Sequence, residues 1–477
     1  MLKFTDTPQV YPDIKPADLR KQDFEEIYAQ FSKPQAAEQA ERCSQCGIPF
    51  CQVHCPLQNN IPDWLKLAAE GRLEEAYQIS SATNTFPEIC GRICPQDKLC
   101  EGNCVIEKDF GAVTIGSVER YITETAWEQG WVKPIKPGNQ TGKSIGIIGA
   151  GPAGLAAADM LRRAGHEVHV YDRYDRVGGL MIYGIPNFKL EKSVVIRRHK
   201  LLEQSGVKFH SKVSVGEGSS DNIRFAELQA RHDALLIATG VYKARALQAP
   251  NSAIGSIIPA LPYLTESNRH GLGDKLKNQV TAKDKEVVVV GGGDTAMDCV
   301  RTAIRQGARS VTCLYRRDQA NMPGSQREVK NAMEEGVNFH WLAAPKGFIA
   351  NAKGDVKEVI VQRMRLAPSD TSFSSTRNDV IALEGSNYNL KADLVIPALG
   401  FEAEDIPQMF GQPQLAVNKN GTLKVDKATM QTSIPGVFAA GDIVRGASLV
   451  VWAIKDGRDV AQSINAFLKG KEERLAA

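Results

Sequence analysis

Beyond residue 104 this 477-residue chain has only two cysteines, and nowhere does it have an apolar run long enough to cross a bilayer. Apolar runs such as residues 287–290 and 448–454 fall far short of the roughly 20 residues a span needs. No excess of one charge exists: 58 Lys and Arg stand against 55 Asp and Glu, a net +3, which gives no electrostatic footing for nucleic acid or an anionic membrane. The amino terminus, MLKFTDTPQV, lacks the apolar core and small-residue cleavage site of an export signal. The expected compartment is the cytoplasm. A 43% hydrophobic and 24% charged composition is that of an ordinary soluble globular protein, and the length suits two or three domains.

The cysteines that are present crowd the first 104 residues. Cys43, Cys46, Cys51 and Cys55 read C-x2-C-x4-C-x3-C-P; Cys90, Cys94, Cys100 and Cys104 read C-x3-C-P-x4-C-x3-C. Two sets of four soft thiolates suit two iron–sulfur cubanes, and in bacterial ferredoxin runs ending in Cys-Pro the last cysteine ligates the other cluster. A zinc site is the stronger rival, since C-x2-C pairs also bind zinc. A disulfide framework would need an oxidising compartment. His54, between Cys51 and Cys55, is expected to be exposed or behind the ligands, and Cys299 and Cys313 to be core residues.

Residues 1–140 read as helical, with periodicity over 36–42, 61–73 and 118–131, and residues 133–140 form a turn-rich linker. Then strand, glycine turn, helix and strand occur twice. The first unit carries Gly149, Gly151 and Gly154, with Asp172 ending the second strand, where a carboxylate can bond ribose hydroxyls. The second carries Gly291, Gly293, Asp294 and Ala296, but its second strand runs into Arg316 and Arg317. Paired guanidinium groups there match a 2′-phosphate and so point to NADPH over NADH. Further strand ends place Thr239 and Gly240, then Gly441 and Asp442, beside these loops, with a helix expected over 447–461 and a polar loop over 368–379. Asp442 can bond a polyol. Tyr183, Phe188 and Trp452 are equally readable as cofactor or core aromatics.

Taken together, CSQCGIPFCQVHCP, FPEICGRICPQDKLCEGNC, GAGPAG, VGGLMIYGIPNFKL, GGGDTA and the final AAGD resemble the small (β) subunits of NADPH-dependent glutamate synthase across essentially the full length. Dihydropyrimidine dehydrogenase and the ferredoxin-linked NADP transhydrogenases share the module. The resemblance implies an α/β protein: a helical iron–sulfur domain (1–140), then two Rossmann-like, glutathione-reductase-type domains, the NADPH domain (285–400) inserted in the FAD domain (141–284 and 401–477). FAD is implied at Gly149, Gly151, Gly154, Asp172, Gly179, Thr239, Gly240, Gly441 and Asp442, with Lys189 ending a loop over the flavin. NADPH is implied at Gly291, Gly293, Asp294, Ala296, Arg316 and Arg317.

For two 4Fe-4S clusters the resemblance implies Cys43, Cys46 and Cys51 with Glu119, and Cys55 with Cys94, Cys100 and Cys104; Cys90 is the alternative fourth ligand of the first. It further implies hydride transfer from NADPH to FAD and one-electron relay to a large (α) subunit carrying FMN and the glutaminase, which makes glutamate from 2-oxoglutarate and glutamine. Residue 2 is leucine, so the chain has no nucleophilic cysteine at a processed amino terminus for glutamine hydrolysis. The alternatives are a stand-alone ferredoxin- or NADP-linked reductase, a non-catalytic electron-transfer scaffold, and a zinc-stabilised flavoprotein.

Overall fold

A computed structural model describes residues 1–216, 222–277, 279–367 and 379–476; all of the expected polar loop but Asp379 lies outside them. Up to residue 128 the elements are helices, chiefly Lys33–Glu41, Ile61–Ala69, Leu73–Thr83, Pro87–Ile93 and Ile115–Glu128. The first of these begins at a capping box, with Ser32 N–H donating to Gln35 Oε1 (3.0 Å) and a proline in its first turn. Their apolar stripes meet around Trp64, Leu65, Val118 and Ile122.

Irregular chain through residues 132–143, bent at 138–139, leads into the first βαβ unit. Strands β1 (Ser144–Ile148), β2 (Glu167–Asp172), β3 (Lys208–Ser211) and β4 (Ala234–Ile237) are joined by β9 (Val437–Ala439) from near the chain's end, in the order β9-β4-β1-β2-β3, all parallel. Both faces of the sheet are covered, which is why β4 is apolar at every position. The carboxy-terminal helix Val450–Ala476 packs Ile454, Ala461 and Ile464 on the helix Pro152–Arg163 that follows the first glycine turn.

Between β4 and β9 the chain builds a second parallel sheet, β7-β6-β5-β8, from β5 (Glu286–Val290), β6 (Ser310–Tyr315), β7 (Asn338–Trp341) and β8 (Leu394–Pro397). An antiparallel sheet built on Ala343–Ala350 and Val356–Leu366 packs against it. Helix Ala260–Gly271 belongs to this core, its Tyr263 and Leu264 clustering with Val287 and Met297. The chain crosses between the two units at Lys243–Ala244 and Phe401–Glu402, and the crossings pair with each other. Among the described residues no helix is long and apolar enough to cross a membrane.

Buried ion pairs fix the helical domain to both units. Arg198 Nε and Nη2 donate to Glu88 Oε1 and Oε2 (2.7 and 2.9 Å), tying it to the first. Arg20, 1% exposed, donates to Glu335 (2.9 Å) and Glu334 (2.8 Å) of the second. Glu335 also accepts from Arg301 (2.8 Å) and Arg305 (2.7 Å), while Arg301 reaches Glu328 (2.6 Å). Burial alone would raise both carboxyls, but the guanidinium groups outweigh it and hold Glu328 and Glu335 down to about 2.

Removing Glu335 takes from Arg305 its carboxylate partner and from Arg20 and Arg301 one of two, so Glu335→Ala should lower unfolding stability in urea by about 3–5 kcal/mol. Because the folded-state values lie below the ordinary 4.5, the stabilisation is complete above that pH and fades as pH falls toward 2. Urea midpoints of wild type and variant should therefore converge on acidification.

Candidate functional site

Both glycine turns leave their first strand in the same way. Gly149 has φ +112°, and a Cβ there would stand 2.4 Å from the Ala238 carbonyl; Gly291 has φ +148°, and its Cβ would stand 2.3 Å from the Ala398 carbonyl. Each turn thus presses its strand end against a neighbouring strand, while Gly151 and Gly293, next but one, face open space. That is the opening a pyrophosphate needs at a helix N-terminus. Gly154 and Ala296 pack inward against strand and core.

In the first unit Asp172 accepts from the backbone N–H groups of Ala150 (2.7 Å) and Tyr174 (2.8 Å), and burial raises its carboxyl. Thr239 Oγ1 is buried beside the same turn with no hydrogen-bond partner in the protein, a vacancy suited to a polar ligand atom. Gly179 approaches Gly151, Gly240 follows Thr239, and Gly441 lies over Ala153. Asp442 accepts from Ser448 Oγ (2.8 Å) and is pushed up to about 6, chiefly by burial. These groups fit a flavin dinucleotide.

The second turn opens on a cleft of about 1320 Å³ lined by Gly291, Gly293, Arg316 and Arg317, with Arg316 exposed and Arg317 buried. Asp294 turns aside from the cleft to accept from Ser325 N–H (2.9 Å). Lys189 lies between the units, donating to Asp298 (2.8 Å) and lying 3.7 Å from Glu328. Neither acid is evident from motif alone; the available signal for Asp298 is its i,i+4 spacing from Asp294 on one helix face. Phe188 packs under Arg301 and Arg305, Tyr183 is buried with its hydroxyl on Asp175, and Trp452 lies beneath Arg445. Lys189, Asp298 and Leu449 line a crevice of about 150 Å³ that also reaches Cys94.

No disulfide joins any of the ten cysteines. Cys43, Cys46, Cys51 and Cys104 form one group; burial first, then Cys104 and Cys43, push the Cys51 thiol up to about 12. Cys55, Cys90, Cys94, Cys100 and Glu119 line a second, small cavity. Burial pushes Cys55 up to about 11 and Glu119 to about 8. Glu119 accepts from Ser80 Oγ (3.3 Å) and Asn84 Nδ2 (3.3 Å).

The side chains are grouped otherwise than the resemblance implies. Cys104 stands with Cys43, Cys46 and Cys51; Glu119 stands with Cys55, Cys94 and Cys100; and Cys90, donating to Asn84 Oδ1 (3.7 Å), shares that second site. The physical cause is a crossover in which the last cysteine of each run reaches the other group, while helix Ile115–Glu128 delivers Glu119 to the second. The side chains ring a space rather than meet at a point. Among the described residues no three are close enough to share one metal ion. Soft donors around a buried cavity fit an iron–sulfur group. His54 is exposed, and Cys299 and Cys313 lie in the core of the second unit.

These features define an iron–sulfur pyridine-nucleotide oxidoreductase. Residues 20–131 match the family of dihydropyrimidine dehydrogenase domain II, 4Fe-4S cluster, and residues 143–457 match pyridine nucleotide-disulphide oxidoreductase. The fold is shared with the solved structure of Mycobacterium tuberculosis FprA in complex with NADPH (20% identity, TM-score 0.58, 70% of this chain and 86% of that one). Over its full length the chain is 62% identical to the glutamate synthase [NADPH] small chain of Azospirillum brasilense, covering 98% of it, and 44% identical to that of Escherichia coli K12, with 98% of each covered. The chain belongs to the glutamate synthase [NADPH] small-chain family. It is an oxidoreductase that provides NADPH-driven electron input, with FAD, NADPH and an iron–sulfur cluster as its cofactors.

A methyl group at Gly149 would meet a backbone carbonyl at positive φ, a strain of about 1–3 kcal/mol or more. Gly149→Ala should purify with little bound flavin, read from its visible absorbance, and with a lowered Tm.

Proposed function

We propose that this chain takes electrons from NADPH at the crevice between its two nucleotide units and delivers them, through two 4Fe-4S clusters, to a large subunit that carries FMN and a glutaminase and makes glutamate. The observation that carries this reading is the crevice itself: Lys189 and Asp298 line it together with Cys94, which also lines the second cysteine cavity. When bound, the two dinucleotides supply hydride transfer and the clusters one-electron relay. In the first unit, Gly151 would receive the flavin pyrophosphate on the turn that Gly149 and Gly154 permit, Asp172 its ribose, and Gly179, Thr239, Gly240, Gly441 and Asp442 would close around the rest. Lys189, ion-paired with Asp298, holds the loop between the two dinucleotides. Gly291, Gly293, Asp294 and Ala296 form the NADPH turn, and Arg316 and Arg317 recognise the 2′-phosphate. Leu449 and Val450 keep water from the crevice.

The ligand sets follow the observed groups. Cys43, Cys46, Cys51 and Cys104 hold one cluster. Cys55, Cys94, Cys100 and Glu119 hold the other, with Cys90 beside them as a hydrogen-bond donor. In the first group Cys43 is buried and Cys46, Cys51 and Cys104 are half-buried, and Ile48, Val53 and Val105 (69%, 60% and 56% exposed), each within two residues of one of these cysteines in sequence, give it an exposed apolar rim. That rim is where the large subunit would dock and where electrons leave.

Anaerobic titration with NADPH should bleach the flavin, equal NADH should not, and iron analysis should give about eight atoms per chain. Bound zinc, or a flavin left oxidised, would overturn the reading. Replacing both Arg316 and Arg317 with Ala should raise KM for NADPH about tenfold to a hundredfold while leaving that for NADH within about twofold. Cys104→Ser and Cys55→Ser should each alter a different cluster's EPR signal, Cys55→Ser together with Glu119→Ala acting on one.

A further inference from the structure

We propose that Asp97 is a positioning residue that couples occupancy of the second glycine turn to the second cysteine site, through Ser325; this rests on the cofactor assignments proposed above. Asp97 lies in the loop between Cys94 and Cys100, yet its hydrogen bonds go to the nucleotide unit. Its Oδ1 accepts from Ser325 Oγ (3.1 Å) and its Oδ2 from Gln326 N–H (3.1 Å). Ser325 stands at the N-cap of helix Gln326–Glu334 but makes no side-chain cap bond of its own. A residue of another domain fills the capping role, with the carboxylate at the favourable end of the helix dipole.

On its other side the same segment is fastened to the glycine turn. Gly324 N–H donates to the Gly292 carbonyl (3.1 Å) and Ser325 N–H to Asp294 Oδ1 (2.9 Å). A Cβ on Gly324 would stand 3.2 Å from that carbonyl, so the segment cannot move toward the turn without displacing it. Lys98 Nζ adds a bond to the Gly324 carbonyl (2.8 Å). Arg327 donates to Gln96 Oε1 (2.9 Å), and Gln96 Nε2 to the Cys90 carbonyl (3.3 Å). Hydrogen bonds thus lead from the turn, through Gly292–Gly324 and Asp294–Ser325, and on through Ser325–Asp97 into the segment between Cys94 and Cys100. A displacement of the turn by bound nucleotide is passed to that loop, and by linkage the state of that site alters nucleotide affinity.

The test uses the full-length, cofactor-loaded chain. NADP+ affinity is measured by equilibrium titration of flavin fluorescence, and EPR spectra of the dithionite-reduced protein are compared with and without NADP+. In wild type, NADP+ should change the EPR signal of the cluster that Cys55→Ser affects. In Asp97→Asn and Ser325→Ala the NADP+ Kd should rise about fivefold or more and the NADP+-dependent EPR change should disappear, with iron content unchanged. Ser325→Ala removes one hydroxyl on the nucleotide side, so it decides the matter if Asp97→Asn loses iron. The proposal is overturned if Ser325→Ala binds NADP+ like wild type and keeps the EPR response, or if the wild-type signal ignores NADP+. A wild-type chain without iron, or without NADP+ binding at all, would instead overturn the cofactor assignments.

Discussion

Glu335 accepts hydrogen bonds from three guanidinium groups, and the placement of the domains depends on that contact. Arg20 arrives from the helical domain; Arg301 and Arg305 come from the helix behind the second glycine turn. A buried carboxylate costs several kcal/mol unless its partners are in place, so a shifted docking leaves net charge without water or counter-charge. Apolar packing would tolerate sliding, whereas a directional charged network admits one register. The first unit joins the same network, since Phe188 lies under Arg305 at 3.9 Å and Arg301 at 4.6 Å. Three segments far apart in sequence are held to one geometry, which a reductase with fixed redox distances requires.

The crossover of cysteines works to the same end inside the helical domain. With Cys55 drawn into the second group and Cys104 into the first, each group takes cysteines from both runs. The two runs are therefore held together even though helices Ile61–Ala69, Leu73–Thr83 and Pro87–Ile93 separate them in sequence. Arg198 and Glu88 then lock Pro87–Ile93 to the first nucleotide unit, next to the run that begins at Cys90.

What the sequence made legible was local. Strands Glu286–Val290 and Ser310–Tyr315 begin and end where their apolar runs do, and the glycine turns sit where only glycine fits the backbone. The helix expected over 447–461 starts at Val450 and runs on to Ala476, because its continuation carries an apolar stripe onto the first unit. Long-range pairing was not legible. Nothing in C-x2-C or C-x3-C spacing says which run Cys104 joins, and Glu119 is one of several acids until its helix brings it to the cavity. Lys189 was expected only from the resemblance, at the end of a loop; that its partner is Asp298 was not legible, since a salt bridge spanning 109 residues leaves no periodic trace. Helix Ala260–Gly271 shows the same limit: it precedes β5 in sequence yet completes the second unit's core.

The direction of electron flow in the proposed function is argued from exposure. The second cysteine group is the more enclosed, with Cys90 and Cys94 buried and one wall shared with the crevice between the nucleotide units. The first has Cys46, Cys51 and Cys104 half exposed and an apolar rim in solvent. Isolated exposed aliphatic side chains are ordinary, but Ile48, Val53 and Val105 all lie within two residues of a cysteine of that group. Water around such a rim is displaced when another surface covers it, which is the physical ground for placing the proposed docking site there. The buried group adjoins the crevice and the other lies nearer solvent, the order on which the proposed path from crevice to second site to first site to partner rests.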